Sequence, residues 1–441
     1  MILQAACAIR DISPRKPMFL LGYPHVQRIS TGIHDPLSAT ALCLRAGDDG
    51  LIMIAVDILF IDPFTAGELR EAIATHTGIP SHAILISCTH THSAPTTIDM
   101  LSFQADPVVP PPDPEYMRQF KQGILDAAVE AAERLENAEL AFAAASVAGV
   151  GGNRLSPNGT CDPQAGLMMI RRRDDKTPIG LSLTYAMHPT VLHEDSTLVS
   201  ADFPGFARQY LNARLGDGMA VLYHTGPAGD QSPRNHVRAQ TFIEAQRLGE
   251  ILGQTVLVAI QALKDTDYHH TLPLKSLVTQ VDLPRRRLPP VAEAEANLRR
   301  CQEIFERLQV EEAGHGPIRT AECAVFGAEE AVSLSRCQDS GKLDHVLGRY
   351  LPAEIQALRI GEHCYVGLPG EVFVEYSLDI KRRAPCRTTV ISLANGELQG
   401  YVVTPEAAAQ GTYEANNSLF DPRAGQVLAD AAIRLTHQLF D

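Results

Sequence analysis

His90 and His92 stand one residue apart in Thr89-His90-Thr91-His92-Ser93-Ala94-Pro95, straight after the apolar run Ala83-Ile84-Leu85-Ile86. An imidazole ligates a metal through one nitrogen or carries a proton near neutral pH. The run reads as a buried strand that leads into a proline-closed loop. If the backbone stays extended, side-chain alternation turns both rings to the same side. A second apolar strand ends in the same way, in Ala186-Met187-His188-Pro189-Thr190. Three more loops after apolar strands offer Ser232 in Gly229-Asp230-Gln231-Ser232-Pro233, Glu371 in Leu368-Pro369-Gly370-Glu371, and Tyr401. Two histidines and a carboxylate are a common shell for catalytic zinc, leaving one position for water or substrate. Zinc lowers the pKa of bound water to about 7 and polarises a carbonyl. A further imidazole and a hydroxyl would move protons or hold the water.

Each residue also has a purely structural reading. His188 could end a strand, Glu371 could sit at a helix N-terminus favoured by the dipole, Ser232 could be a turn residue before Pro233, and Tyr401 and Tyr413 could be half-buried tyrosines. Cys88 lies beside the histidine pair, but its place at the end of an apolar strand favours core packing over nucleophilic or ligand chemistry. His25, His34, His193 and His224 read as structural, with Asp35 and Asp230 available to orient a ligand histidine.

The elements that must bring these residues together follow from the apolar pattern. Residues 5–12 read as a first strand, 37–45 and 51–56 as a strand pair, 64–75 as a helix stopped by Gly78-Ile79-Pro80, and then comes the strand before His90. Strand, helix, strand in that order predicts an α/β layer with some parallel pairing, whose ligands sit at the carboxyl ends of strands. Segments 22–36 and 107–114 read as Gly/Pro-rich loop. Helices are expected over 115–137, 206–215, 241–263 and 424–440, and strands over 140–147, 166–172, 178–185, 220–223, 272–283 and 388–393. The span 358–366 reads as a strand pair through Gly361-Glu362, and Glu371 as opening a helix that runs to Arg383. The span 285–341 is charged, helical and weakly patterned, a hairpin or excursion from the main body. The fold class expected is α/β: a mixed β-sheet core with flanking helices and the zinc site in loops at strand ends.

The totals narrow the function. The chain has 441 residues, 45% hydrophobic and 20% charged, with a formal charge of −14. So acidic a chain is poorly suited to nucleic acid or an anionic membrane surface. No apolar run is long enough to cross a bilayer. The start, Met1-Ile2-Leu3-Gln4, carries no secretory signal pattern, and the nine cysteines have no C-x-x-C spacing. Together these predict a cytoplasmic location with reduced thiols.

Six motifs together resemble the catalytic domain of the neutral/alkaline, non-lysosomal ceramidases. They are Thr89-His90-Thr91-His92-Ser93-Ala94-Pro95, Asn153-Arg154-Leu155-Ser156-Pro157, His188-Pro189-Thr190, Gly229-Asp230-Gln231-Ser232-Pro233, Leu368-Pro369-Gly370-Glu371 and Tyr401-Val402-Val403-Thr404-Pro405-Glu406. They occur in the family's order over nearly the whole chain. The resemblance implies zinc-dependent hydrolysis of an N-acyl amide, with one Zn2+ per chain held by His90, His188, Glu371 and Tyr401. It implies His92 as proton shuttle or oxyanion donor, Arg154 and Tyr413 as groups lining the pocket and positioning the amide, and Ser232 as nucleophile or as the group that orients the water. The water route is preferred, because Gly229-Asp230-Gln231-Ser232 is no G-x-S-x-G elbow and zinc already supplies a nucleophile.

The expected substrate is an N-acyl lipid of the ceramide type or a smaller N-acyl compound, such as an acylated amino sugar or amino alcohol. The whole chain, 1–441, is expected to form one ceramidase-like catalytic domain without the family's additional C-terminal β-sandwich. The serine motif is altered, with Gln231 before Ser232 and Arg234 after Pro233, and tryptophan is absent. The rival readings are an esterase or lactonase on the same scaffold that uses Ser232 covalently, and a non-catalytic binding protein.

Overall fold

The computed structural model describes residues 1–441 except Pro24, Ala105, Pro107 and Asp217, together with the side-chain surroundings of His315, Gly316 and Arg319. The expected loop residue Pro24 and the first residue of the proline run, Pro107, lie outside the described residues.

One eight-stranded sheet is built from β1 (Leu3–Asp11), β2 (Ser38–Ala46), β3 (Asp49–Val56), β4 (Ile84–Cys88), β5 (Glu136–Ser146), β6 (Gln164–Arg172), β7 (Pro178–Tyr185) and β8 (Ala220–Thr225), in the order β8-β7-β6-β5-β1-β2-β3-β4. β2 and β3 form an antiparallel hairpin, while β3/β4 and β7/β8 are parallel pairs. The two halves are joined through a narrow seam, Gln4 opposite Asn137 and Ala5 opposite Glu136. That seam lets the sheet bend, and β8 packs back against β2, β3 and β4. A second sheet, in the order β9-β10-β11-β12, comprises β9 (Leu274–Val281), β10 (Ala353–Ile360), β11 (His363–Gly367) and β12 (Arg387–Ile391), with β11 and β12 parallel.

Helices cover these sheets. α1 (Pro63–Thr77) starts where Asp62 accepts hydrogen bonds from the Phe64 and Thr65 amides and Pro63 presets the first turn; it stops at Gly78, whose φ of 70° is left-handed. α2 (Pro114–Glu133) repeats that start with Asp113. Together they cover the half holding β1–β4, while α3 (Asp202–Leu215) and α4 (Phe242–Gln261) cover the half holding β5–β8. α5 (Val291–Val310) and α6 (His315–Asp339) pair as a hairpin. α7 (Val374–Arg383) and α8 (Ala424–Phe440) pack on the second sheet. No helix among the described residues is long and apolar enough to cross a membrane.

Two sheets gather the strand ends. Thr225 Oγ1, at the end of β8, donates to Thr89 O after β4 at 2.7 Å. Ser392 N, after β12, donates to Thr225 O at 2.9 Å, and Cys88 N donates to Leu393 O at 3.2 Å. Because β3, β7 and β11 run parallel to β4, β8 and β12, six carboxyl ends meet at one place.

Candidate functional site

The first expectation that fails is the reason for the His90–His92 pairing. β4 ends at Cys88, and His90 has φ 68°, so the backbone is left-handed there rather than extended. The turn is held by Thr89 N donating to Val56 O (2.8 Å) and His90 N to Ile58 O (2.9 Å). The two rings still meet, nearly perpendicular with centroids 5.0 Å apart. Cys88 is fully buried and its thiol is pushed up by that burial, as core packing predicts.

His188 follows β7, and Glu371 lies in the loop between β11 and α7. Glu371 therefore precedes the helix instead of opening it; the acidic residue in the first turn of α7 is Glu375. His90 Nε2 stands 3.0 Å from His188 Nε2 and 3.2 Å from Glu371 Oε2, and His188 Nε2 stands 3.0 Å from the same Glu371 oxygen. The other ring nitrogens face backbone carbonyls. His90 Nδ1 is 3.0 Å from Leu59 O, His188 Nδ1 is 2.6 Å from Ala228 O and 3.1 Å from Gln231 O, and His92 Nδ1 is 2.9 Å from Gly22 O. A carbonyl only accepts, so each Nδ1 carries the proton and each Nε2 presents a lone pair. His92 Nε2 is buried with no partner.

The site therefore aims lone pairs and a carboxylate oxygen at one point, with no hydrogen between them. Burial, assisted by the Arg154 charge, lowers His188 to a pKa of about 4, and burial with the neighbouring His90 and His188 holds His92 well below its ordinary value. Such a set is satisfied by a cation. Donors about 2 Å from a common ion in a tetrahedron stand roughly 3.3 Å apart, close to the separations seen. One ring nitrogen from each of His90, His92 and His188 lies within 4.8 Å of the others, a group that could hold a metal ion.

The histidines are oriented by carbonyls and not by Asp35 or Asp230. Asp35 receives Ser200 Oγ and Ala201 N and contacts His34. Asp230, its carboxyl raised to about 7 by burial, accepts from Asn153 Nδ2 at 2.8 Å and Val374 N at 3.0 Å. It thereby ties the loop that supplies Ala228 O and Gln231 O to the start of α7.

Tyr401, Tyr413, His90, His92 and Glu371 line one cavity, with Leu59, Phe60, Met100 and Phe103 as its apolar wall. Arg154 lies behind this lining. Its Nε donates to Glu414 Oε1 at 2.7 Å and its Nη2 to the Tyr401 hydroxyl at 3.3 Å, with both ion-pair partners buried. The Tyr401 and Tyr413 rings meet edge to face at 6.1 Å. Burial raises both phenols well above their ordinary pKa, and Glu371 adds to it. Ser232 is buried, and its Oγ accepts from Arg234 N at 3.1 Å, capping the turn Pro233–Asn235. Two lining residues, Glu330 on α6 and Asn417, escaped the sequence reading. Glu330 belongs to the charged span 285–341, where no periodicity separates it from Glu329; burial pushes its carboxyl up to about 8.

The residues matched by the family model described as neutral/alkaline non-lysosomal ceramidase, N-terminal, are 7–234, more than half of the chain. The chain belongs to the neutral/alkaline non-lysosomal ceramidase family. It is accordingly a hydrolase of an amide bond. The matched ceramidase segment carries His90, His92, Arg154, His188 and Ser232, while Glu371, Tyr401 and Tyr413 lie beyond it. The fold extends the likeness over the whole chain. The crystal structure of neutral ceramidase from Pseudomonas aeruginosa is 18% identical with a TM-score of 0.76, covering 100% of this chain and 74% of that one. A ceramidase complexed with C2 is 17% identical with a TM-score of 0.77, covering 100% of this chain and 75% of that one. No curated protein matches in sequence.

Gly22 gives a direct test of how His92 is seated. Its φ is 127°, and a Cβ there would stand 2.6 Å from His92 Cβ, Cγ and Nδ1. Gly22→Ala is expected to displace the His92 ring and lower kcat/KM at least about tenfold, as general acid–base groups contribute 10²–10⁴. Unchanged kinetics would show that His92 is dispensable.

Proposed function

We propose that the chain is a zinc-dependent amidohydrolase that cleaves the N-acyl bond of ceramide or a closely related N-acyl amino alcohol, releasing a fatty acid and the amine. The observation that carries this reading is the convergence of His90 Nε2, His188 Nε2 and Glu371 Oε2 with the imidazole protons committed to carbonyls on the far side. Nitrogen and carboxylate donors in this number suit zinc. His90, His188 and Glu371 would hold the ion, with Tyr401 from the same cavity wall as the fourth protein ligand. Zinc held there supplies Lewis acidity, lowering the pKa of water and polarising a carbonyl.

The remaining chemistry belongs to the side chains. His92, with Nδ1–H fixed on Gly22 O, offers Nε2 to take the proton of the attacking water and return it to the departing nitrogen. Arg154 donates to the Tyr401 oxygen and so aims that phenol's own proton elsewhere, while Tyr413 beside it supplies a second hydroxyl for the developing oxyanion. Leu59, Phe60, Met100 and Phe103 suit a methylene chain and keep bulk water away. Ser232 acts on the loop and the water. Among the described residues its Oγ contacts Arg234 N and no base, which disfavours the serine esterase reading.

Metal analysis of the purified protein should give about one zinc per chain. Treatment with a chelator should abolish fatty-acid release from N-acylsphingosine, and zinc should restore it. Hydrolysis that survives chelation but stops with a serine-directed phosphonate would replace this mechanism by the Ser232 route.

A further inference from the structure

The α5–α6 hairpin forms part of the cavity wall. Phe326 stacks on His25 with ring centroids 5.2 Å apart. A Cβ on Gly327 would lie 3.1 Å from the Tyr413 ring, so α6 runs hard against that tyrosine. Three residues on, Glu330 lines the same cavity as His92 and Glu371 and is only 2% exposed. Its Oε1 has no hydrogen-bond partner, and neither has Oδ1 of Asn417, which also lines the cavity.

A buried carboxyl oxygen without a hydrogen-bond partner is a costly arrangement that packing does not require, since leucine or glutamine would occupy similar space. Its value lies in what enters the cavity. Asn417 Oδ1 and His92 Nε2 are acceptors, and a carboxyl that keeps its proton both donates and accepts, so the partner that fits all three is a hydroxyl. The hydrocarbon of an acyl chain has no donor to give. The amine half of an N-acyl amino alcohol has hydroxyls.

We propose that Glu330 is a specificity-determining residue that hydrogen-bonds a hydroxyl of the substrate's amine half, so that the α5–α6 hairpin reads the leaving group. The assignment rests on the amidohydrolase reading above. It predicts rejection of an amide whose amine half lacks the hydroxyl, because Glu330 then stays unpaired; a site built to hydrogen-bond a hydroxyl discriminates far more strongly than an apolar pocket.

Binding tests this apart from turnover. The probes are an octyl-substituted 2-amino-1,3-propanediol and octylamine, which share the ammonium and differ in the hydroxyls. Calorimetry on the zinc-loaded wild type should show about a tenfold preference for the aminodiol, the effect of one well-made buried hydrogen bond. Glu330→Leu should bind both alike, Glu330→Gln should fall between, and the zinc content of each should match the wild type. Both variants should also melt at higher temperature without ligand, since the unpartnered buried carboxyl is gone. The ratio of kcat/KM for the corresponding N-acyl amides should collapse in parallel. A preference that persists in Glu330→Leu, or its absence from the wild type, overturns the assignment while leaving amide hydrolysis as it is. A preference lost in Glu330→Leu in a protein that hydrolyses no N-acyl amide would uphold Glu330 and sink the amidohydrolase reading.

Discussion

His188→Ala is expected to abolish both zinc binding and amide hydrolysis. His188 Nε2 contacts His90 Nε2 and Glu371 Oε2, and its other nitrogen binds two carbonyls, so no neighbour can replace it in both tasks. A Lewis acid is worth several kcal/mol of transition-state stabilisation, and each 1.36 kcal/mol is tenfold in rate. The loss in kcat/KM should therefore be at least about a thousandfold. Elemental analysis of the folded variant, with circular dichroism as the control, reads the first effect, and fatty-acid release reads the second. Stoichiometric zinc in His188→Ala would remove this residue from the ligand set. The shifts cited above also set a pH dependence. His92 and His188 are held neutral in the fold and would take up protons on unfolding, so their contribution to stability is full above about pH 6.5. It falls as pH drops from there towards the folded value of about 4 for His188.

Arg154→Ala should damage stability and activity together. Arg154 and Glu414 form a buried pair at 2.7 Å, and Glu414 Oε2 already has no partner. Removing one member of a buried pair leaves the other charge uncompensated, typically at about 3–5 kcal/mol. Replacing both, as Arg154→Met with Glu414→Leu, should restore much of that stability, because apolar residues of similar volume often substitute well. Activity should not return, since Tyr401 would still lack the Nη2 contact that seats its hydroxyl. Denaturant unfolding of the three variants separates these effects. A single variant that loses less than about 1 kcal/mol would mean that Glu414 is solvated or has another donor.

The strands around the site were legible because apolar runs bounded by glycine, proline and histidine leave little choice of structure, and the last helix runs from Ala424 to Phe440 as read. Four of the site residues were legible for a related reason: His90, His188, Glu371 and Tyr401 all follow apolar strands. The manner of their meeting was not. Period-two alternation failed at His90 because its amide is captured by Ile58 O, a tertiary contact over thirty residues away that forces the left-handed turn. Glu371 could not be separated from a helix-opening carboxylate because the boundary of α7, three residues further on, depends on Val374 N bonding Asp230. Glu330 was illegible for a different reason. A solvated face and a cavity wall use the same charged residues, and only the docking of Gly327 on Tyr413 tells them apart.

The proposed ligands lie 98 and 183 residues apart along the chain, His90 to His188 and His188 to Glu371. No segment shorter than that span contains the site. On the proposed ligand set, an ion could not be captured during synthesis until Glu371 has emerged and the second sheet has closed on the first. Metal uptake would then be a late event that reports completed folding, and an ion bound there would clasp together strand ends that local contacts alone would let open.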